Sequence, residues 1–140
     1  MKKTPLKKKS KTDQQKKESL RKKCVAKAKE ISKRNNPFCE YCGTDTRVLH
    51  SHHIFSEGLN KGMSADVDNL ITLCWLHHLG GLKFVSTKIF SFHGSPADAT
   101  AWLIENRPKK YKELLKRSRI VEPKTLKFWE EKLEELKNYE

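Results

Sequence analysis

The chain has 140 residues, enough for one domain with a modest core and too few for two ordinary domains. Its formal net charge of +13 and its sequence pI of about 9.7 make it strongly basic. The mean hydropathy of -0.80 is low, and no apolar run approaches the roughly 20 residues that a membrane-spanning helix needs, so we expect no membrane segment.

The positive charge is concentrated in the first quarter of the chain. Residues 1–35 hold 15 Lys and Arg against 3 acidic residues, whereas residues 36–140 hold 15 against 14. A dense cationic segment attracts polyphosphates through the release of condensed counterions, without reading their sequence. Nucleic acid is therefore the expected partner, although lysine-rich termini can also serve solubility alone. The residues expected to contact it are Lys7, Lys8, Lys9, Lys16, Lys17, Arg21, Lys22 and Lys23.

The four cysteines are expected to be reduced. The first residues are basic but lead into no hydrophobic segment, so we expect no secretory signal peptide. Disulfides are rare in a reducing cytoplasm, where the chain is expected to stay. The cysteines therefore favour metal ligation.

The N-terminal segment is predicted to consist of a disordered arm and a basic helix. Residues 1–12 are too polar and too like-charged to fold alone. From Asp13 the sequence favours a helix, which Asn35-Asn36-Pro37 ends. Its narrow apolar stripe places Cys24 as a small core residue, together with Leu20, Ala28 and Ile31.

The middle of the chain predicts a knuckle, a strand, a loop and a short helix. Residues 38–46 form a cysteine-rich turn, and Arg47–Phe55 has the β-branched and aromatic composition of a strand. Ser56–Asp68 is a polar loop, and Asn69–Leu73 is a short apolar segment that leads into Cys74. A short helix is expected after this cysteine.

The C-terminal part is predicted to be mainly helical. Lys83–Phe92 alternates imperfectly and fits a second hairpin or an extended loop. Ser95-Pro96 predicts a helix cap and a first helical position. The helix that follows is expected to bury Ala97, Ala101, Leu103 and Ile104. Two further helices are expected over Tyr111–Ser118 and Thr125–Tyr139, the last with a stripe of Leu126, Trp129, Leu133 and Leu136.

Two ligand pairs indicate a structural zinc site. Cys39 and Cys42 form one C-x-x-C pair, and Cys74 and His77 form a C-x-x-H pair. Each pair can grip one tetrahedral ion from a tight turn, and four such ligands suit Zn²⁺. The site would be closed, since no position is left for water. The alternative is that the cysteines are ordinary buried thiols and His77 a surface residue.

The segment between the zinc pairs resembles the HNH (His-Me finger) endonuclease family. The shared pattern is C-x-x-C, then H-H-I at His52-His53-Ile54, D-N-L-x-x-L-C at Asp68–Cys74, and H-H at His77-His78. The resemblance covers about residues 37–80. It implies an α+β fold with a small ββα-metal hairpin-helix core stapled by zinc and flanked by an N-terminal helix and C-terminal helices. One domain, 13–140, would comprise the basic helix 13–36, the core 37–82 and the helical part 83–140.

The resemblance also implies roles for the remaining site residues. Neighbouring histidines in a strand point to opposite faces, so His52 and His53 need different tasks. By their place in the motif, His52 looks like a metal ligand and His53 like the general base. His78 looks like a second ligand of that metal, and Asn69 is expected to tie the loop to the strand. The next family histidine is replaced by Leu82.

Two more histidines are less clearly placed by the sequence. His93 can stand in for the missing ligand if residues 79–92 are an inserted loop, or it can be an exposed histidine before a helix. His50 lies on the same strand face as His52 and can support the metal from behind, although an ordinary histidine is the simpler interpretation.

Taken together, the resemblance predicts a metal-dependent endonuclease that hydrolyses DNA, with structural Zn²⁺ and catalytic Mg²⁺ or Mn²⁺. From Ala97 onward the chain also resembles phage HNH proteins, including recombination proteins of the NinG type. That likeness implies a phage or mobile-element origin and the host cytoplasm. The alternatives are a non-catalytic zinc-stapled DNA-binding accessory protein in recombination or packaging, and a NinG-type structure-selective nuclease.

Overall fold

The computed structural model describes residues 12–80, 89–121 and 124–139. Within these ranges a two-stranded antiparallel hairpin is surrounded by helices, which confirms the predicted α+β class with a small HNH-type core. The elements are α1 (Asp13–Asn35), β1 (Leu49–His53), 3₁₀ turns at Lys61–Met63 and Val67–Asn69, β2 (Leu70–Cys74), α2 (Trp75–Leu79), α3 (Pro96–Asn106), α4 (Pro108–Ser118) and α5 (Leu126–Lys137). No helix in these ranges is long and apolar enough to cross a membrane.

Helix α1 is a core element of the domain. A capping box between Thr12 and Gln15 opens it, and it ends at Asn35, where the Asn-Asn-Pro sequence predicted a stop. Its apolar stripe, with Cys24 and Ile31 fully buried, packs against α5. The predicted disordered arm, apart from Thr12, lies outside the described residues.

The hairpin pairs β1 with β2 from Leu49 opposite Cys74 to His53 opposite Leu70. Hydrogen bonds from Ile54 N–H to the Asn69 carbonyl oxygen and from Trp75 N–H to the Val48 carbonyl oxygen extend the ladder at both ends. The observed strand, Leu49–His53, is nevertheless shorter than the strand predicted over Arg47–Phe55. It carries His50, His52 and His53, whereas His77 and His78 of the motif lie on α2.

The two faces of the hairpin contact different parts of the protein. Ile71 and Leu73 pack on the side of α3, whereas Leu70 packs on the side of α1 and α5. Because residues directly opposite in a ladder share a face, His52 lies on the α3 side and His53 on the α1 side. The strand alternation expected from the sequence is thus present.

The buried face of α3 differs from the sequence prediction. Ala99 and Leu103 are buried, whereas Ala97 and Ala101 are exposed and Ile104 is 51% exposed. Alanines at alternate positions leave the phase of a helix undefined in the sequence, so packing against the hairpin selects the face.

The predicted cap of α3 is also only partly right. Ser95 occupies the N-cap position and Pro96 the first turn, but the Ser95 side chain makes no capping hydrogen bond. Its ψ of 67° departs from the extended conformation in which such caps normally form.

The segment before α3 is held by α2. Most of the predicted second hairpin, residues 81–88, lies outside the described residues, and the described remainder contains no strand. Instead, Phe92 N–H donates to the His77 carbonyl oxygen at 2.8 Å, and His93 N–H donates to the His78 carbonyl oxygen at 3.2 Å. These bonds place His93 beside the helix that carries His78.

The C-terminal helices are tied to the loop between the strands by charge. Asp66 accepts a hydrogen bond from Lys132 of α5 at 2.8 Å and another from Arg117 of α4 at 3.3 Å. Helix α4 starts at Pro108, three residues before the predicted start, and Thr125 caps α5 through Phe128 N–H. The loop that follows β1 is therefore clamped from both helices.

Arg21 connects α1 to the same loop. Its side chain is 11% exposed, and its guanidinium donates to Glu18 at 2.6 Å and to Glu57 at 2.5 Å. The hydrogen bond from Arg21 lowers the pKa of Glu57. Arg21 was expected to contact nucleic acid, but the helical period places it on the buried side of α1, where two carboxylates occupy it.

A double-mutant cycle tests this connection. We expect Arg21→Met and Glu57→Gln to be coupled by roughly 0.5–1 kcal/mol in the free energy of unfolding, since Glu57 is 38% exposed and solvent screens the pair. Urea denaturation of both single variants and the double variant measures the coupling. The exposed pair Lys127 and Glu131 on α5 is the control and should show almost none. Strict additivity at Arg21 and Glu57 would contradict the contact.

Candidate functional site

Four metal-binding side chains from three elements converge beside the hairpin. Cys39 and Cys42 come from the knuckle, Cys74 from the end of β2 and His77 from α2. All four ligand atoms lie within 4.8 Å of one another. The cluster contains every residue of the predicted zinc site.

The spacing of these atoms fits a tetrahedral ion. Sulfur atoms bound to zinc at about 2.3 Å lie about 3.8 Å apart in a tetrahedron. The Cys42 and Cys74 sulfur atoms are 3.9 Å apart, and His77 Nδ1 lies 3.2 Å from Cys74 Sγ and 4.0 Å from Cys39 Sγ. The Cys₃His cluster can therefore hold a metal such as zinc.

Backbone bonds position the knuckle on the hairpin. Glu40 N–H donates to the Thr72 carbonyl oxygen at 2.8 Å, and Thr72 N–H donates to Glu40 Oε2 at 2.7 Å. Gly43, directly after Cys42, closes the turn with a φ of 77°, which a glycine adopts without strain, and its N–H donates to the Cys39 carbonyl oxygen. The knuckle is thus attached to β2 independently of any ion.

The surroundings of Cys74 and His77 favour their metal-binding forms. Burial opposes ionisation of Cys74, but hydrogen bonds from the His77 backbone N–H and from Arg47 outweigh it and lower the pKa of this thiol. Burial lowers the pKa of His77, with a smaller contribution from Arg47. A thiolate and a neutral imidazole are the species that ligate zinc.

A second cluster consists of three histidines. The ligand nitrogens of His52, His78 and His93 lie within 4.8 Å of one another. Their ring centroids are separated by 5.2 Å between His52 and His78, 4.8 Å between His52 and His93, and 4.7 Å between His78 and His93. The structure thus brings the sequence-distant His93 next to the two motif histidines.

The two half-buried members of this cluster, His52 and His78, have lowered pKa values that favour neutral rings at physiological pH. Burial, together with His93 and His78, lowers the pKa of His52 to about 3. Burial, with His93, His50 and Lys29, lowers the pKa of His78 to about 4. Neutral imidazoles offer a free lone pair, so the cluster is suited to a divalent cation.

His50 contacts the cluster from behind. Its Nδ1 lies 2.9 Å from His78 Nδ1, so one ring donates a hydrogen bond to the other. That bond leaves His78 Nε2 available for a ligand. The contact corresponds to the supporting position that the strand alternation allowed for His50.

His53 has different neighbours from His52. Its Nε2 lies 2.7 Å from the Ser64 carbonyl oxygen, which can only accept, so the proton of the neutral ring is on Nε2. The other nitrogen, Nδ1, is 3.9 Å from Glu57 Oε2. His53 therefore carries a free lone pair on Nδ1 and is held at its opposite end.

Asn69 is fully buried and fixes the loop that holds His53. Its side-chain oxygen accepts from Phe55 N–H at 2.8 Å, and its Nδ2 donates to the carbonyl oxygens of Phe55 and Met63, each at 3.1 Å. Met63 precedes Ser64, whose carbonyl oxygen meets His53. The amide thus joins the end of β1 to the loop, as the sequence suggested.

Both histidine environments open into one cleft of about 670 Å³. His52, His53, His78 and His93 line it, and so does Glu57. The sequence did not single out Glu57 or Ser64, because the first acts through Arg21 and the second through its backbone, and neither belongs to a motif.

The expected nucleic-acid contacts are placed unevenly. Lys16, Lys22 and Lys23 are exposed on α1, and Lys17 is half-buried. The remaining lysines of the predicted set, Lys7, Lys8 and Lys9, lie outside the described residues.

Comparison with known families agrees with this geometry. The family model of HNH endonucleases matches residues 39–79, a little under a third of the chain. The matched stretch runs from the first cysteine of the Cys₃His cluster to the end of α2, and it stops before His93. Searches of curated proteins and of solved structures gave no match. The matched segment is thus similar to HNH endonucleases, which indicates a nuclease-like function.

Replacing one zinc ligand should affect metal content and stability together. We expect Cys39→Ser to lower both the zinc bound per chain and the melting temperature, because the energy of structural metal binding contributes to folding. Elemental measurement and thermal denaturation check this.

Cys24→Ala is the matched control, since Cys24 is equally buried but lies in the α1–α5 core. It should lower the melting temperature and leave the zinc content unchanged. Unchanged melting of Cys39→Ser would argue against a structural metal.

Proposed function

We propose that the protein is a metal-dependent endonuclease that hydrolyses phosphodiester bonds of DNA. The supporting observation is the arrangement of the cleft, where three convergent imidazoles lie beside a fourth, His53, that is held separately. A closed cysteine-rich cluster alone has no such open position. The match to HNH endonucleases supports the same assignment.

The donor set of His52, His78 and His93 can hold a divalent ion, for which we propose Mg²⁺ or Mn²⁺ in catalysis, although imidazole nitrogens bind Zn²⁺ and Ni²⁺ more tightly. Three neutral nitrogens leave room in an octahedral shell for water and phosphate oxygens. When bound there, the ion would neutralise the charge that develops on the phosphate and on the departing oxygen.

His53 is the proposed general base. Its Nδ1 takes a proton from water, whose oxygen attacks phosphorus while the bond to the 3′ oxygen breaks and that oxygen is protonated by solvent. The products are a 5′-phosphate and a 3′-hydroxyl. The Ser64 carbonyl oxygen holds the opposite N–H throughout. Once protonated, the imidazolium faces Glu57, whose carboxylate is 3.9 Å from Nδ1.

None of the described residues that line the cleft belongs to an element that reads bases, so we propose weak sequence specificity. Lys16, Lys22 and Lys23, which are exposed on α1, would bind the phosphate backbone, which carries no sequence information.

Removing the base should stop turnover without unfolding the protein. We expect His53→Ala to lose plasmid nicking in Mg²⁺ or Mn²⁺, while zinc content and DNA binding remain close to those of the parent protein. Nicking, elemental and binding measurements on the same preparation check this. A His53→Ala protein that nicks at the parent rate would refute the assigned base.

His93 provides a test of the ligand set. We expect His93→Ala to raise the Mn²⁺ concentration needed for half-maximal nicking by at least about tenfold, since one of three ligands is lost. His93→Asp should need less Mn²⁺ than His93→Ala, because a carboxylate also ligates Mn²⁺. Nicking is measured against Mn²⁺ concentration for both variants, with the zinc content confirmed to be constant. If His93→Ala needs no more Mn²⁺ than the parent protein, His93 is not a ligand and the ion is held by His52 and His78 alone.

The rival functions differ in turnover and substrate. A non-catalytic DNA-binding accessory protein would bind DNA but leave plasmids intact under all metal conditions. A structure-selective nuclease of the NinG type, suggested only by the sequence from Ala97 onward, would prefer junctions or flaps to linear duplex. The same nicking assay on these three substrates separates the possibilities.

A further inference from the structure

Helix α1 packs its buried stripe against α5, and it also contributes one lysine, Lys29, to the cleft. The backbone carbonyl oxygen of Lys29 accepts a hydrogen bond from Ser51 Oγ at 3.1 Å. Ser51 is the residue before His52 on β1, so this bond holds α1 against the strand of the motif. The half-buried Lys29 side chain lines the same cleft as His52, His53 and His78.

The ammonium of Lys29 has no ion-pair partner in the described part of the chain. No carboxylate described there lies within ion-pair distance of it, and the carboxylate that shares the cleft, Glu57, is bound by Arg21. An anion placed in the cleft would therefore give this half-buried ammonium a close counterion.

The electrostatics of Glu57 agree with this position. The pKa of Glu57 is lowered mainly by its hydrogen bond from Arg21, and the positive charge of Lys29 contributes to that lowering. The charge of Lys29 therefore acts on the side of the cleft next to His53.

We propose that Lys29 is a substrate-binding residue whose ammonium contacts a non-bridging oxygen of the phosphodiester that reacts beside His52 and His78. This inference rests on the proposed nuclease function and adds to it a residue outside the family-matched segment. A fixed cation at this point stabilises the negative charge that grows on the phosphate during attack. Lys16, Lys22 and Lys23 of α1 differ, because they do not line the cleft and would contact only flanking phosphates.

The proposed contact is tested by measuring hydrolysis of two substrates, one a DNA polymer and the other a small diester with a single phosphate. Lys29→Met is assayed on plasmid DNA and on bis(4-nitrophenyl) phosphate, which contains no flanking backbone. We expect a loss on the order of 100-fold in kcat/KM on both substrates. Lys29→Arg should recover part of the activity, because it restores the charge. Zinc content and melting temperature should match those of the parent protein.

Lys33→Met is the matched control. Lys33 is exposed, lies one turn further along the same helix and does not line the cleft. Its replacement by methionine therefore removes the same charge from α1 without changing the cleft. It should leave hydrolysis of bis(4-nitrophenyl) phosphate unchanged. Equal losses in both variants, or a Lys29→Met defect confined to plasmid DNA, would overturn the proposed contact with the reacting phosphate.

DNA binding separates a failure of this inference from a failure of the nuclease assignment. If the parent protein hydrolyses neither substrate, the nuclease proposal fails, and Lys29 is then judged by the salt dependence of binding. The slope of log K against log salt should fall by about 1 for Lys29→Met and stay near the parent value for Lys33→Met. Identical slopes for the two variants would overturn a phosphate contact at Lys29.

Discussion

The short helix α2 imposes the constraint on which both clusters depend. Its adjacent residues His77 and His78 project about 100° apart around the helix, so each meets a different set of partners. His77 joins the cysteines and packs against Tyr41, with ring centroids 4.7 Å apart. His78 joins His52 and His93. A metal in the Cys₃His cluster would thereby hold the helix that presents His78 to the cleft, which couples stability to site geometry.

The far side of the cleft is organised by buried hydrogen bonds. Asn69 holds the backbone at Phe55 and Met63, and the adjacent Ser64 carbonyl oxygen holds His53. The ring of His53 is therefore oriented by a main-chain carbonyl group, and the Asn69 side chain holds the backbone beside that group. The two sides of the cleft are therefore stabilised by different means, a ligand cluster on one side and an amide network on the other.

Helix α1 combines a structural and an electrostatic role. Its inner stripe packs against α5, and Arg21 is used to hold Glu57. Its outer lysines remain exposed, and Lys29 faces the cleft between these two regions. A basic helix of this kind cannot be treated as a detachable cationic arm, because removal of α1 would expose the core of the domain.

Much of the site was determined by the sequence alone, since closely spaced ligands constrain local geometry. The ligand pairs at Cys39 and Cys74 and the alternation of His52 and His53 in a strand follow from short-range patterns. The class of fold followed from the resemblance to HNH endonucleases.

Only the tertiary structure decided the features that depend on distant contacts. His93 reaches the cluster through backbone bonds to α2, Arg21 is withdrawn from solvent by Glu57, and the face of α3 is chosen by the hairpin. Lys29 meets the cleft for the same reason, because the packing of α1 on β1 sets which of many lysines points inward. The charge and periodicity of the sequence do not show which histidine, arginine or lysine reaches the site, because contacts between residues distant in the sequence decide it.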